Sequence, residues 1–125
     1  MYTVAVTRDL IAQHYLVGGD WGAENLLHSH HYRLELQLKG SSLDEHNYLV
    51  DIVEIEDYLD ELVSGFSDRT LNDLPEFAGM NPSLECFAHI FCQRIAARFL
   101  DSRIVEVVVK LWEHEHAWAA CRISV

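Results

Sequence analysis

From Tyr32 onward the apolar residues fall on even positions, Tyr32, Leu34, Leu36 and Leu38, while Arg33, Glu35, Gln37 and Lys39 fall on odd ones. This period of two predicts a strand with one buried face. It ends near Lys39-Gly40-Ser41-Ser42, a turn that fits a hairpin or a wide connection. Residues 2–8 predict an earlier strand with Tyr2, Val4 and Val6 on one face. The same parity continues through Leu10 and Ala12 to His14, although Arg8 interrupts it. Gly18-Gly19-Asp20-Trp21-Gly22 reads as a loop.

The middle of the chain changes to helical spacing. Asp51 can cap a helix over 52–65, in which Ile52, Val53, Ile55, Leu59, Leu62, Val63 and Phe66 form an apolar stripe. Glu54, Glu56, Asp57, Asp60 and Glu61 cover the other side as a solvated face. Asn81 as N-cap and Pro82 at the first helical position predict a second helix, with Leu84, Phe87, Ala88, Phe91, Cys92, Ile95 and Phe99 at helical intervals. Alternation returns at 104–112, with Val105, Val107, Val109 and Leu111 on one face, and again at 117–124. The predicted fold is α+β: an antiparallel four-stranded sheet with two helices on one face, in a single domain over residues 1–125.

Half of the 125 residues are hydrophobic, enough for one real core. Twenty acidic residues against nine basic ones give a net charge of −11, which repels a polyanion and argues against nucleic-acid binding. No apolar run approaches the roughly 20 residues that span a bilayer. The N-terminus has no basic region followed by a long apolar stretch, so no membrane partner and a cytoplasmic location are expected. Cys86, Cys92 and Cys121 show no paired spacing and are expected to be reduced, buried thiols.

Leu27-His28-Ser29-His30-His31-Tyr32 carries the chemistry. His28 and His30 share the parity of the buried set, so a strand reaching back through them aims both imidazoles inward. Two neutral imidazoles on one strand face can bind one metal ion, but a mononuclear zinc site needs a third ligand from elsewhere in the chain, and such a pair also fits hydrogen-bonded or solvated residues at a strand end. Glu113 shares the parity of the Val105 to Leu111 face, where a carboxylate needs a strong partner. His31 has odd parity and should face away. No role is assigned to His46 or His89. His114 and His116 form a second HxH close to Glu113, which would allow a substrate or metal role, but they read first as a solvated hairpin tip.

Five ordered segments across residues 8–124 resemble the 6-pyruvoyl-tetrahydropterin synthase / 6-carboxy-tetrahydropterin synthase family. Ala12-Gln13-His14 is similar to its AAH, and His28-Ser29-His30-His31-Tyr32 to its HGHxY, whose histidines together hold zinc. Leu49-Val50-Asp51 resembles the MVxDF that opens the first helix. Asn81-Pro82-Ser83-Leu84-Glu85 resembles the NPTxE beside the pterin pocket, which implies Ser83 and Glu85 as substrate-binding residues. Leu111-Trp112-Glu113 resembles the vwET whose glutamate anchors the pterin.

The resemblance implies the tunnelling fold, in which protomers form barrel-shaped trimers that stack into hexamers with active sites at subunit interfaces. It implies Zn2+ as cofactor and a small-molecule pterin such as 7,8-dihydroneopterin triphosphate as partner. Two departures stand out. Glu24 occupies the position of the family's catalytic cysteine, four residues before the first histidine of the HGH motif. Ser67-Asp68 stands where the family has the Asp-His of DHxxLN. Glutamate at the cysteine position resembles a variant branch that cleaves the side chain to give 6-hydroxymethyl-7,8-dihydropterin. The implied activity is a zinc-dependent lyase with Glu24 and Asp68 as proton-transfer residues. The loss of the usual relay leaves open a catalytically inactive pterin-binding homologue, and the residues alone also admit a zinc enzyme acting on another heterocycle.

Overall fold

The computed structural model describes residues 1–125. Its elements run β1 (Tyr2–His14), a short 3-10 turn (Gly22–Asn25), β2 (His28–Gly40), α1 (Ile52–Ser64), two further 3-10 turns, α2 (Leu84–Arg98), β3 (Glu106–His114) and β4 (Ala117–Ser124). The four strands form one antiparallel sheet in the order β1-β2-β3-β4. Both helices lie in the long connection between β2 and β3, and both pack on the sheet.

The even-numbered residues of β1 and β2 and the odd-numbered ones of β3 supply the inner face, so Leu34, Leu36, Val107, Val109 and Leu111 lose all solvent contact. Phe66, Phe77, Phe87 and Phe91 fill the space above them, with the Phe87 and Phe91 rings stacked at 4.6 Å. Tyr32 meets Phe87 edge-on at 5.1 Å and joins this aromatic cluster to β2. One cluster of 27 buried hydrophobic residues results.

The backbone constrains where the sheet begins. Gly40 closes β2 against the 103–104 segment, and a Cβ there would lie 2.6 Å from the Arg103 carbonyl oxygen and 2.6 Å from Leu49 Cδ1. Any side chain at this position forces the chain entering β3 away from the end of β2.

Several expected boundaries shift. Arg8 does not interrupt β1, which continues without a break to His14. Its guanidinium keeps the inner parity and reaches over to α1, pairing with Asp60 at 2.6 Å and Glu56 at 3.2 Å. Part of α1's acidic face is therefore neutralised rather than only solvated. Ile52 and Val53, placed in the apolar stripe, are 49% and 65% exposed, because the first turn of α1 projects past the sheet. α2 starts later than expected. Ser83, not Asn81, is its N-cap, accepting from the Cys86 backbone N–H, while the Asn81 side chain accepts from the Val17 N–H at 2.8 Å. β3 begins at Glu106, leaving Val105 outside the strand and partly exposed. Of the three free cysteines only Cys92 is buried.

Asp51 caps α1 by accepting from the Val53 N–H at 3.0 Å, and Leu59 is the fully buried residue at the helix centre. Asp51→Ala is expected to cost about 1 kcal/mol and Leu59→Ala about 2–5 kcal/mol. Urea unfolding followed by circular dichroism, with an unchanged slope, checks both values.

Candidate metal centre

The β1–β2 register sets His14 opposite His28 and Ala12 opposite His30. All three histidines share the inner parity, so the pairing gathers three imidazoles at one end of the sheet. Their ring centroids lie 4.6 Å (His14–His28), 5.0 Å (His14–His30) and 4.9 Å (His28–His30) apart. The 3-10 turn Gly22–Asn25 brings in Glu24. One ligand atom from each of His14, Glu24, His28 and His30 lies within 4.8 Å of all the others.

The outward-turned ring nitrogens are already committed. His14 Nδ1 lies 2.7 Å from the Pro82 carbonyl oxygen, and His28 Nδ1 lies 2.7 Å from that of Leu26. A carbonyl only accepts, so Nδ1 carries the proton in both rings and Nε2 is left with a lone pair. The Nε2 atoms of His14, His28 and His30 are all buried and have no hydrogen-bond partner. Glu24 Oε2 comes to 2.9 Å from His28 Nε2, and Glu113 Oε1 to 2.9 Å from His30 Nε2. Neither carboxylate oxygen lies along a ring N–H direction, so these contacts are not hydrogen bonds. Three converging, unpartnered imidazole nitrogens with a carboxylate beside them are the donor set of a zinc ion, and these residues fit one.

Burial agrees with neutral ligands. Desolvation is the largest effect on both His14 and His30 and lowers their pKa values below the ordinary 6.5. Tyr32 closes the cluster from below, its ring 5.6 Å from His30, and burial raises its phenol well above the usual range.

A cavity of about 350 Å³ opens beside the cluster, lined by His14, Leu16, Glu24, His30, Ser83, Leu84, Glu85, Glu113 and His114. Of the residues singled out from the sequence, His28 belongs to the cluster without lining the cavity, and Asp68 belongs to neither. Asp68 is exposed and does not line the cavity. Its backbone N–H donates to the Ile11 carbonyl oxygen at the outer edge of β1, with φ at 61°. His31 faces away and pairs loosely with Asp9 at 3.7 Å. Sequence reasoning missed Leu16. His114 is exposed at the hairpin, as expected, and it also stands at the rim of the cavity, beside the shift of register between Trp112 and His114.

A family model described as 6-pyruvoyl tetrahydropterin synthase matches residues 3–124. A structure of the Caenorhabditis elegans 6-pyruvoyl tetrahydropterin synthase superposes with a TM-score of 0.84 at 17% identity, over 98% of this chain and 96% of that one. A Plasmodium vivax 6-pyruvoyltetrahydropterin synthase, solved as a variant with a catalytic glutamate replaced by alanine, gives 0.80 at 13% identity over 100% of both chains. An uncharacterized Wolinella succinogenes protein gives 0.72 at 14% identity, over 98% of this chain and 97% of that one. No curated protein matches the chain.

The depressed histidines predict a pH dependence for metal-free protein. Their folded-state pKa values lie below 6.5, so the unfolded chain binds more protons as pH falls through that value, and stability is lost on acidification. Thermal unfolding between pH 8 and 5 is expected to show this loss, and His14→Gln is expected to flatten it.

Proposed function

This chain belongs to the 6-pyruvoyl tetrahydropterin synthase family, and on that premise we propose that it is a zinc-dependent lyase acting on the side chain of 7,8-dihydroneopterin triphosphate or a close pterin. The observation that carries the reading is the Glu24 carboxylate, 2.9 Å from His28 Nε2 at the mouth of the three-histidine cluster. The Plasmodium vivax relative, whose catalytic residue is a glutamate, supports a carboxylate as the catalytic base.

The Nε2 atoms of His14, His28 and His30 would hold the zinc. When bound, the ion supplies Lewis acidity toward oxygen atoms of the substrate side chain. Glu24, half exposed at the mouth of the cluster, takes a proton from the side chain as general base. Glu113 accepts two hydrogen bonds from the ring, one from its N3–H and one from the 2-amino group. Ser83 and Glu85, on the opposite wall of the cavity, border the substrate. By its resemblance to the branch with glutamate at the cysteine position, the product proposed is 6-hydroxymethyl-7,8-dihydropterin. Asp68, on the outer edge of β1, would enter only from a neighbouring copy in a trimeric or hexameric ring. The edge of β1 before Ile11, which the 68–70 segment leaves uncovered, and the edge of β4 are where such copies would join. No helix is long and apolar enough to cross a membrane.

The test is anaerobic incubation of zinc-loaded protein with dihydroneopterin triphosphate, followed by separation of fluorescent pterins. Product above the metal-free control is expected, and Glu24→Gln is expected to lower turnover about 10²- to 10⁴-fold with zinc content retained. Tight pterin binding without product from any pterin would instead assign the chain as a catalytically inactive pterin-binding homologue.

A further inference from the structure

At the end of β3 the ladder carries one extra residue. Leu111 pairs with Ala119 and Trp112 with Trp118, but His114 pairs with Ala117, which leaves Glu113 as the additional residue of a β-bulge. In an unbroken ladder His114 would share the outer face with Trp112. Set opposite Ala117, it instead stands exposed at the rim, lining both the cavity beside the histidine cluster and the outer groove of Asp9, Arg33 and Trp112. A bulge of this kind re-aims a side chain. The consequence is that two consecutive residues, Glu113 and His114, line the same cavity as His14, Glu24 and His30.

The hairpin also sets the ring's tautomer. The His116 backbone N–H donates to His114 Nδ1 at 3.2 Å. Nδ1 therefore holds a lone pair, and the neutral imidazole carries its proton on Nε2. The wall of the cavity then presents a carboxylate with two acceptor oxygens and, on the next residue, a ring N–H donor.

We propose that His114, next to the Glu113 carboxylate already assigned to the ring's 2-amino and N3–H groups, is the residue that recognises the 4-oxo group of that edge. The carboxylate accepts from the 2-amino group and from N3–H, and His114 Nε2–H donates to the adjacent carbonyl oxygen. This rests on the pterin reading above and adds a ring-edge preference to it. A 2,4-diamino ring has no N3–H for the Glu113 carboxylate, and it also places an amino donor where His114 presents a donor, so the His114 share of the preference is read only from the change of ratio in the His114 variant. A 2,4-dioxo ring keeps the His114 contact and loses one of the two to Glu113.

The experiment is fluorescence titration of zinc-loaded protein with pterin, 2,4-diaminopteridine and the 2,4-dioxo ring lumazine, which reads binding independently of turnover. Wild type is expected to bind pterin more tightly than either analogue. His114→Ala is expected to weaken pterin and lumazine about tenfold and to leave 2,4-diaminopteridine unchanged or tighter. His114→Gln, which retains a side-chain N–H donor, is expected to recover part of the preference. An unchanged ratio of pterin to 2,4-diaminopteridine in His114→Ala, or an equal loss for all three ligands, would overturn the His114 assignment while leaving the pterin reading intact. Absence of pterin binding by wild type would overturn both.

Discussion

Everything at the site depends on the register between the first two strands. Side chains alternate faces along a strand, so sliding β1 by one residue against β2 would carry His14 to the side opposite His28 and His30. The observed pairing of His14 with His28 is held along thirteen residue pairs, from Tyr2 with Gly40 at one end to the histidines at the other. The inner row of Val6, Leu10, Tyr32, Leu34 and Leu36 fixes the phase of that ladder through burial. The three imidazoles converge because a hydrophobic face has only one acceptable phase.

The convergence has an electrostatic cost that explains its surroundings. Desolvation disfavours protonation of His14, which is 2% exposed, and of His30, and the neighbouring imidazoles near 5 Å add to it. The backbone resolves the tautomers of two of the rings through the Pro82 and Leu26 carbonyls. Pro82 sits just before α2 with Ser83 as the cap, so the start of the second helix both orients His14 and forms a wall of the cavity. Glu24 and Glu113 place negative charge on either side of the ring cluster, an environment that suits a divalent cation and neutral ligands.

Much of this was legible in the sequence because it follows from parity. The strict alternation in β2, the His14 phase in β1 and the inward phase of Glu113 are all consequences of a period of two, and the order of the elements follows from where that period gives way to helical spacing. The rest depends on contacts that no local pattern encodes. Arg8 looked like a break in β1 until Glu56 and Asp60 of α1 supplied its partners. Asn81 was a sound helix cap by residue type, but tertiary structure used its side chain for the Val17 N–H, leaving Ser83 to cap. His114 is exposed at the hairpin as its position suggests, but its place at the cavity rim was hidden because one extra residue in β3 shifts the parity after Trp112. Asp68 was placed by motif alignment alone, and its backbone follows the edge of β1 rather than the cavity.

The central claim is that the unpartnered Nε2 atoms of His14, His28 and His30 form a single zinc site. Anomalous diffraction from crystals of zinc-loaded protein, collected on both sides of the zinc absorption edge, tests it most directly. The account predicts one ion at about 2.0–2.1 Å from each of these three nitrogens. An ion found instead on the His114–His116 hairpin, or three rings that stay empty at saturating zinc, would contradict it.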